Sequence, residues 1–192
     1  MTARSNELLS WSLAERAFCA ENILVTVSPN FSFGILSLMC GDFGPFIPSK
    51  FIKVPLWVAI SLKKSFHCKI ICPEWMEMEA LEQCLKDEKE FEDTFYSLPF
   101  YWQEISSSIL SCAPNDLNDF EQTRELLQQI KEARSKKLDA GLKEMDSRPL
   151  SLKNIGCTEL NRIKPYLIAT ANQLTQFSQG LQAAQHARSP ST

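Results

Sequence analysis

Four short segments rich in proline, glycine and aromatic residues constrain this chain more than any other feature. They are Pro29-Asn30-Phe31-Ser32, Gly41-Asp42-Phe43-Gly44-Pro45-Phe46, Val54-Pro55-Leu56-Trp57 and Pro73-Glu74-Trp75-Met76. Proline restricts φ and glycine permits positive φ, so each segment specifies a particular backbone path. None of the four carries a catalytic pattern. We therefore expect a domain that presents a surface, with structural turns at Pro29, Asn30, Gly41, Asp42, Gly44, Pro45, Pro55 and Pro73.

Short apolar runs between these turns predict a small β-rich domain over residues 22–72. Residues 23–27, 35–40 and 51–54 are strand candidates, because their β-branched and aromatic side chains are typical of strands. Residues 43–48 are expected to form a turn-rich loop. Residues 56–64 fit either a strand or a short helix, and the proline before them favours the helix. A further apolar run covers residues 68–72.

Helical spacing of apolar residues predicts helices on both sides of this domain. A helix over residues 6–20, capped by Ser5 or Asn6, belongs to an N-terminal helical extension at residues 1–21. Helices over residues 73–91, 101–112, 120–145 and 152–187 form an α-helical domain at residues 73–188, followed by a tail at 189–192. The expected fold class is α+β, with a small N-terminal β-rich domain followed by a C-terminal α-helical bundle domain.

The composition is that of a globular protein. Hydrophobic residues make up 44% of the 192 residues and charged residues 22%. The net charge of −3 argues against strong direct binding to nucleic acid, which usually requires a basic excess. No apolar run is long enough to suggest a membrane span. Seven cysteines at irregular spacing predict free thiols in a reducing, intracellular compartment.

We predict no catalytic residue, cofactor or metal. His67, Cys68, Cys72 and Cys84 come nearest to a metal cluster, but they lack the paired short spacings of zinc sites. The two histidines, His67 and His186, have no neighbouring pattern of nucleophile and orienting group.

Charge is concentrated in two parts of the chain. Residues 74–98 contain nine acidic and two basic side chains. They are expected to form a solvated helix face, which is commoner for carboxylates on a helix than a divalent-metal site, with electrostatic docking to a basic partner as its functional variant. Lys131, Arg134, Lys136 and Lys137 form a basic turn, for which we expect solvated charge or salt bridges to a partner.

Large apolar side chains are expected in the core and also at interfaces, where aromatic residues are enriched. Trp75, at the passage from strands to helices, is expected to pin the two domains together. Candidates for interdomain or subunit contacts are Trp57, Trp75, Met76, Leu81, Phe120, Leu127, Ile130 and Leu138.

The four turn segments also carry a family resemblance. Together with Ala59, Ile60, Leu62, Lys63 and Cys68, the chain from about residue 25 to residue 95 resembles the second-subunit family of the eukaryotic GINS DNA replication complex, the partner-of-Sld-five type. The resemblance returns weakly at Leu150-Ser151-Leu152. The N-terminal extension and Pro165, inside the last predicted helix, depart from the family pattern.

The resemblance implies a non-catalytic scaffold subunit in the nucleus. Its partners would be three sister GINS subunits in a heterotetramer held mainly by the helical domains. A RecJ-like replication factor and the minichromosome-maintenance helicase hexamer would join them at the replication fork in the CMG helicase. The ATPase belongs to the hexamer, and the complex is needed for initiation and elongation of DNA replication. The alternative from another class is a thiol- or metal-dependent enzyme using His67, Cys68 and Cys72.

Overall fold

The computed structural model describes residues 11–66, 68–143 and 152–187. In this part of the chain, five strands and six α-helices follow one another in an order that places the sheet first and the longer helices last. The strands are β1 Leu24–Ser28, β2 Leu36–Leu38, β3 Gly41–Phe43, β4 Ile52–Pro55 and β5 Lys69–Ile70. The helices are α1 Leu13–Ala20, α2 Leu56–Phe66, α3 Met78–Glu90, α4 Trp102–Cys112, α5 Phe120–Lys143 and α6 Cys157–Ala187. No described helix combines the length and apolar character needed to span a membrane.

A three-stranded antiparallel sheet forms the centre of the N-terminal half. β1 lies between β4 and β5 and pairs with both, with Val25 opposite Val54 and Val27 opposite Ile70. Val25 and Val27 alternate with more exposed neighbours and are buried. This alternation is what a strand with one face on a core requires. The buried side of α2, including Leu56 and Ala59, adds to the same core.

A separate hairpin of β2 and β3 is shaped by two glycines. Gly41 and Gly44 have φ of 133° and 134°, a region that L side chains rarely adopt. A Cβ atom on Gly44 would lie only 2.7 Å from the carbonyl oxygen of Gly34. The hairpin is extended by a bridge in which the backbone N–H groups of Phe33 and Phe46 each donate to the other residue's carbonyl, at 2.9 and 2.8 Å. The bend therefore requires glycine at position 44 for two reasons: its positive φ and the lack of space for a Cβ atom.

The C-terminal half is a bundle in which α3 packs against α5, and α4 lies against α1, α2 and α6. Buried residues of α3, α4 and α5 share one hydrophobic core with the strands and α2, so sheet and bundle are continuous. A smaller cluster of Leu138, Ile155 and Ile163 joins the end of α5 to α6.

The expected fold class is confirmed: strands come first and a helical bundle follows. Several details differ from the sequence predictions. Residues 41–43, expected to begin a turn, pair as β3. Residues 56–64 are helical, as the proline suggested, but Pro55 itself ends β4. The segment at residues 114–116, between two of the predicted helices, is a short 3₁₀ turn.

The predicted helix boundaries need three corrections. α1 begins at Leu13, because Ser12 caps it and exchanges hydrogen bonds with Glu15 as a capping box; residues 6–10 lie outside the described part. The helix expected over residues 73–91 is a 3₁₀ turn, Glu74–Met76, followed by α3, because Glu77 has an extended ψ of 152°. The last helix begins at Cys157 and contains Pro165 without a break. Met145, the Arg148-Pro149 step between the last two predicted helices and the tail at residues 189–192 also lie outside the described residues.

Candidate functional site: protein interaction surfaces

The β2–β3 hairpin and the loop after it expose an unusual number of large apolar side chains. Those of Ile35 and Phe51 are 63% and 67% accessible, and Phe33, Met39 and Ile47 are exposed as well. Single exposed apolar residues are ordinary, but a concentration of them marks an interaction site. The hairpin surface, defined as these five residues, is held in shape by the glycine-dependent bend and by the ring of Phe46 beneath Phe33.

Helix α1 carries a second apolar surface. Leu13 and Phe18 are 72% and 71% accessible, and Trp11 before the helix is also exposed. Trp11 is fixed to α6, because its backbone N–H donates to Asn161 Oδ1 at 2.7 Å and its carbonyl accepts from Asn161 Nδ2 at 3.0 Å. An apolar groove of about 390 Å³ runs between Trp11 and α6. Phe100, Leu160, Leu167 and Ile168 line the rest of it.

Inside the bundle, Arg134 of α5 is completely buried and holds four segments together. Its Nε and Nη2 donate to the two carboxylate oxygens of Glu159 at 2.6 and 2.8 Å. Its Nη1 donates to Glu88 Oε1 at 2.6 Å and to the carbonyl of Tyr96 at 3.1 Å, and Nη2 also reaches the carbonyl of Asn154 at 2.7 Å.

The partners of Arg134 are themselves hydrogen-bonded. Glu88 accepts from the backbone N–H of Tyr96 and from Lys137 Nζ, and Glu159 accepts from the backbone N–H of Gly156. Burial opposes the charged form of Arg134, but the bonds and charges of the two carboxylates outweigh it and hold its pKa above the ordinary value. The Arg134 cluster, meaning Arg134, Glu88, Glu159 and Lys137, is therefore an ionised and fully connected network.

The expectation of solvated charge was wrong for this cluster. Arg134 and Lys137 come from the predicted basic turn and Glu88 from the predicted acidic face, yet they pair with one another inside the chain. The ion pairing cannot be predicted from local sequence, because 46 residues separate Glu88 from Arg134. The signal that was available is Arg134's position on α5, four residues from each of the buried positions Ile130 and Leu138.

A second polar contact ties the sheet to the bundle. Asp116, in the 3₁₀ turn between α4 and α5, accepts from Lys63 Nζ of α2 at 2.7 Å and from the backbone N–H of Ile70 in β5 at 2.8 Å. The sequence places Asp116 only in the short connection between two predicted helices. Its role depends on residues 46 and 53 positions away, which no local pattern reports.

The structure distributes the predicted site residues between turns and core. Among the turns, Pro29 is buried and its carbonyl accepts from Ser49 N–H at 3.1 Å, Asp42 faces Ser37 across the hairpin, and Pro73 precedes the 3₁₀ turn. Asn30 and Pro45 lie at the surface. Among the contact candidates, Trp57, Trp75 and Phe120 are partly exposed, whereas the others are buried within this chain: Met76, Leu81, Leu127, Ile130 and Leu138.

The residues proposed for an enzyme do not form a site in the described structure. Burial raises the pKa of the Cys72 thiol to about 11, and burial likewise raises the pKa of Cys68, so both are protonated and weakly nucleophilic at neutral pH. No group of three metal-ligating side chains comes together within residues 11–66, 68–143 and 152–187. His67 lies outside those ranges. All seven cysteines are free thiols, as their spacing suggested.

Two family models match the chain, one for each half of the fold. The model of the PSF2 N-terminal domain matches residues 12–71, and the model of the GINS complex protein helical bundle domain matches residues 75–177. Their junction falls at the 3₁₀ turn that precedes α3.

Curated relatives agree along nearly the whole chain. The DNA replication complex GINS protein psf2 of Schizosaccharomyces pombe is 35% identical over 89% of this chain and 93% of its own length. The PSF2 proteins of Homo sapiens and Xenopus laevis are 33% and 34% identical, each over 92% of this chain and 97% of the relative. The resemblance suggested by the turn segments is thus confirmed, and the chain belongs to the PSF2 family of GINS proteins.

Proposed function

We propose that this protein is a non-catalytic scaffold subunit of a heterotetrameric GINS complex in the nucleus, where it takes part in DNA replication. The relatives are named as proteins of the GINS complex, which suggests the assembly. The fold offers a surface through which this chain can bind its partners. The observation that carries the proposal is the hairpin surface: five large apolar side chains exposed on a bend that glycine holds in one shape. A rigid apolar surface binds a protein partner at a low cost in conformational entropy.

The direct partners in this proposal are the three sister GINS subunits. Within the CMG helicase, the assembled complex would contact a RecJ-like replication factor and the minichromosome-maintenance hexamer, which supplies the ATPase. The chain itself is expected to need no cofactor and to bind nucleic acid weakly. The protonated thiols of Cys68 and Cys72 favour this reading over the thiol enzyme.

Co-expression with the three sister subunits tests the proposal. The full chain should co-purify with them as one species of defined size. Ile35→Asp combined with Phe51→Asp should reduce recovery of the complex, because it places two charges on the hairpin surface without touching the buried core. Gln122→Asp combined with Ala140→Asp, on exposed positions of α5 outside the groove, is the control for added charge.

Two outcomes would contradict the proposal. One is a chain that never associates with the sister subunits although it is folded. The other is a complex that forms equally well with the wild-type chain and with the hairpin variant, which would remove the hairpin surface from the interface.

A further inference from the structure

A polar groove lies between α1, α4 and α5, away from the hairpin. Its volume is about 670 Å³, which is within the range of protein sites that enclose ligands. Ser107 and Ser108 line it from α4, and Arg124 and Lys131 line it from α5. Leu13 of α1 adds one of its apolar walls. The groove combines cations, hydroxyl groups and apolar contacts in one concave surface.

Of the cations on α5, Arg124 and Lys131 are the two that line the groove. Arg124 and Lys131 are seven residues apart, so they lie two turns from each other on the same side of the helix. Neither has a carboxylate within ion-pair distance in the described part of the chain, whereas Arg134 and Lys137 of the same helix are both paired.

The acidic side chain that lines the groove already has a cation of α1 as its partner, although its Oε2 accepts no hydrogen bond in the described structure. Glu104 accepts from Thr158 Oγ1 at 2.6 Å and lies 3.5 Å from Arg16 Nη1, and its side chain is almost fully buried. The charge left facing the groove is therefore that of Arg124 and Lys131. A partner with carboxylates complements it.

We propose that this groove binds an acidic peptide segment of a partner protein, with carboxylates against Arg124 and Lys131. The hydroxyl groups of Ser107 and Ser108 can both donate and accept, which suits a peptide backbone with its N–H and C=O groups. Two unpaired cations in a groove, on a chain of net charge −3, are too few for a nucleic-acid footprint. The inference rests on the proposed function only in taking the partner to be a protein subunit.

Binding of a labelled oligoglutamate peptide to the full chain tests the inference. The chain is carried on a soluble fusion protein, the fusion protein alone serves as the blank, and fluorescence anisotropy reports binding at low and at moderate salt. Arg124→Glu combined with Lys131→Glu should weaken binding about tenfold or more, because two attractive contacts become repulsive. Binding should also weaken as salt rises, as expected for exposed charges.

Lys136→Glu combined with Lys143→Glu is the matched control. Both lysines are exposed on α5 but lie outside the groove, and the pair changes the net charge by the same amount. It should leave oligoglutamate binding within about twofold of wild type, since only the long-range field changes.

Three results would overturn the inference: no binding of oligoglutamate, equal weakening by both variants, or tighter binding of a single-stranded oligonucleotide with the same dependence on Arg124 and Lys131. Co-purification with the sister subunits, measured in parallel, reports on the proposed function. If the complex assembles but the peptide does not bind, only the inference about the groove is overturned. If the peptide binds but the complex does not assemble, only the proposed function is overturned.

Discussion

Replacing Arg134 by methionine should be among the most damaging single changes in this protein. Methionine keeps much of the length of the side chain but removes the charge and all of the donors. The carboxylates of Glu88 and Glu159 would then stay buried in the bundle without the cation they share. The backbone carbonyls of Tyr96 and Asn154 would also lose a donor.

The size of the effect follows from what the change leaves behind. Removing one partner of a buried ion pair costs about 3–5 kcal/mol, because an uncompensated charge remains. Here two carboxylates lose their partner, but Glu88 keeps Lys137 and the N–H of Tyr96, and Glu159 keeps the N–H of Gly156. We therefore expect a loss of about 3–5 kcal/mol in the free energy of unfolding rather than twice that amount.

Urea unfolding of the full chain, followed by tryptophan fluorescence, measures this loss. Combining Arg134→Met with Glu88→Gln and Glu159→Gln should restore most of the stability, because the amide oxygens still accept from the backbone and no carboxylate stays buried without its cation, while Lys137 keeps its bond to the carbonyl of Thr94. Lys136→Met, an exposed cation on the same helix, should change the free energy of unfolding by less than about 0.5 kcal/mol.

The reasoning fails if Arg134→Met unfolds at the same urea concentration as the wild type, since the cluster would then not be buried and ionised. It also fails if the triple variant is as unstable as the single one. The cost would then come from lost hydrogen bonds and packing, and not from uncompensated charge.

Three further predictions concern the bend, the thiols and the contact between sheet and bundle. Gly44→Val should cost about 1–3 kcal/mol in thermal unfolding through backbone strain, whereas Gly34→Val, where a Cβ meets nothing within 4 Å, should cost clearly less; equal melting would refute the strain. In timed alkylation at pH 8, exposed Cys40 should react first and Cys84 last, because burial raises the pKa of Cys84 to about 12 and so lowers its thiolate fraction; fast labelling of Cys84 in folded protein would contradict this. Asp116→Ala should cost about 1–3 kcal/mol, because a strand N–H loses its acceptor, and unchanged stability would exclude that role.

Local patterns in the sequence were sufficient for most of the fold. The β-branched run before Pro29 predicted β1, and the apolar spacing in residues 120–145 predicted α5, because each signal depends on neighbours in the chain. The start of α1 was also within reach. Ser12 followed by Glu15 has the pattern of a capping box, whereas the predicted caps were Ser5 or Asn6.

The remaining features depend on distant parts of the chain. β3 has the sequence of a turn, Gly41-Asp42-Phe43, and becomes a strand because Leu36 pairs with Phe43 across the hairpin. The Arg134 cluster joins charges from different helices, and each of them considered alone is a surface residue. For the interaction surfaces, the sequence predictions named no residue of the hairpin surface, because only the fold separates Met76, which is buried, from Met39, which is exposed.

The continuous core beneath sheet and bundle has a consequence for assembly. Because strands, α2 and the bundle share buried neighbours, and Asp116 bonds across their boundary, the hairpin surface and the groove of α5 are carried by one folded unit. A partner that touches both meets two sites whose relative position is already decided. Folding has already fixed the two sites on one unit, so binding at the second site costs little additional conformational entropy.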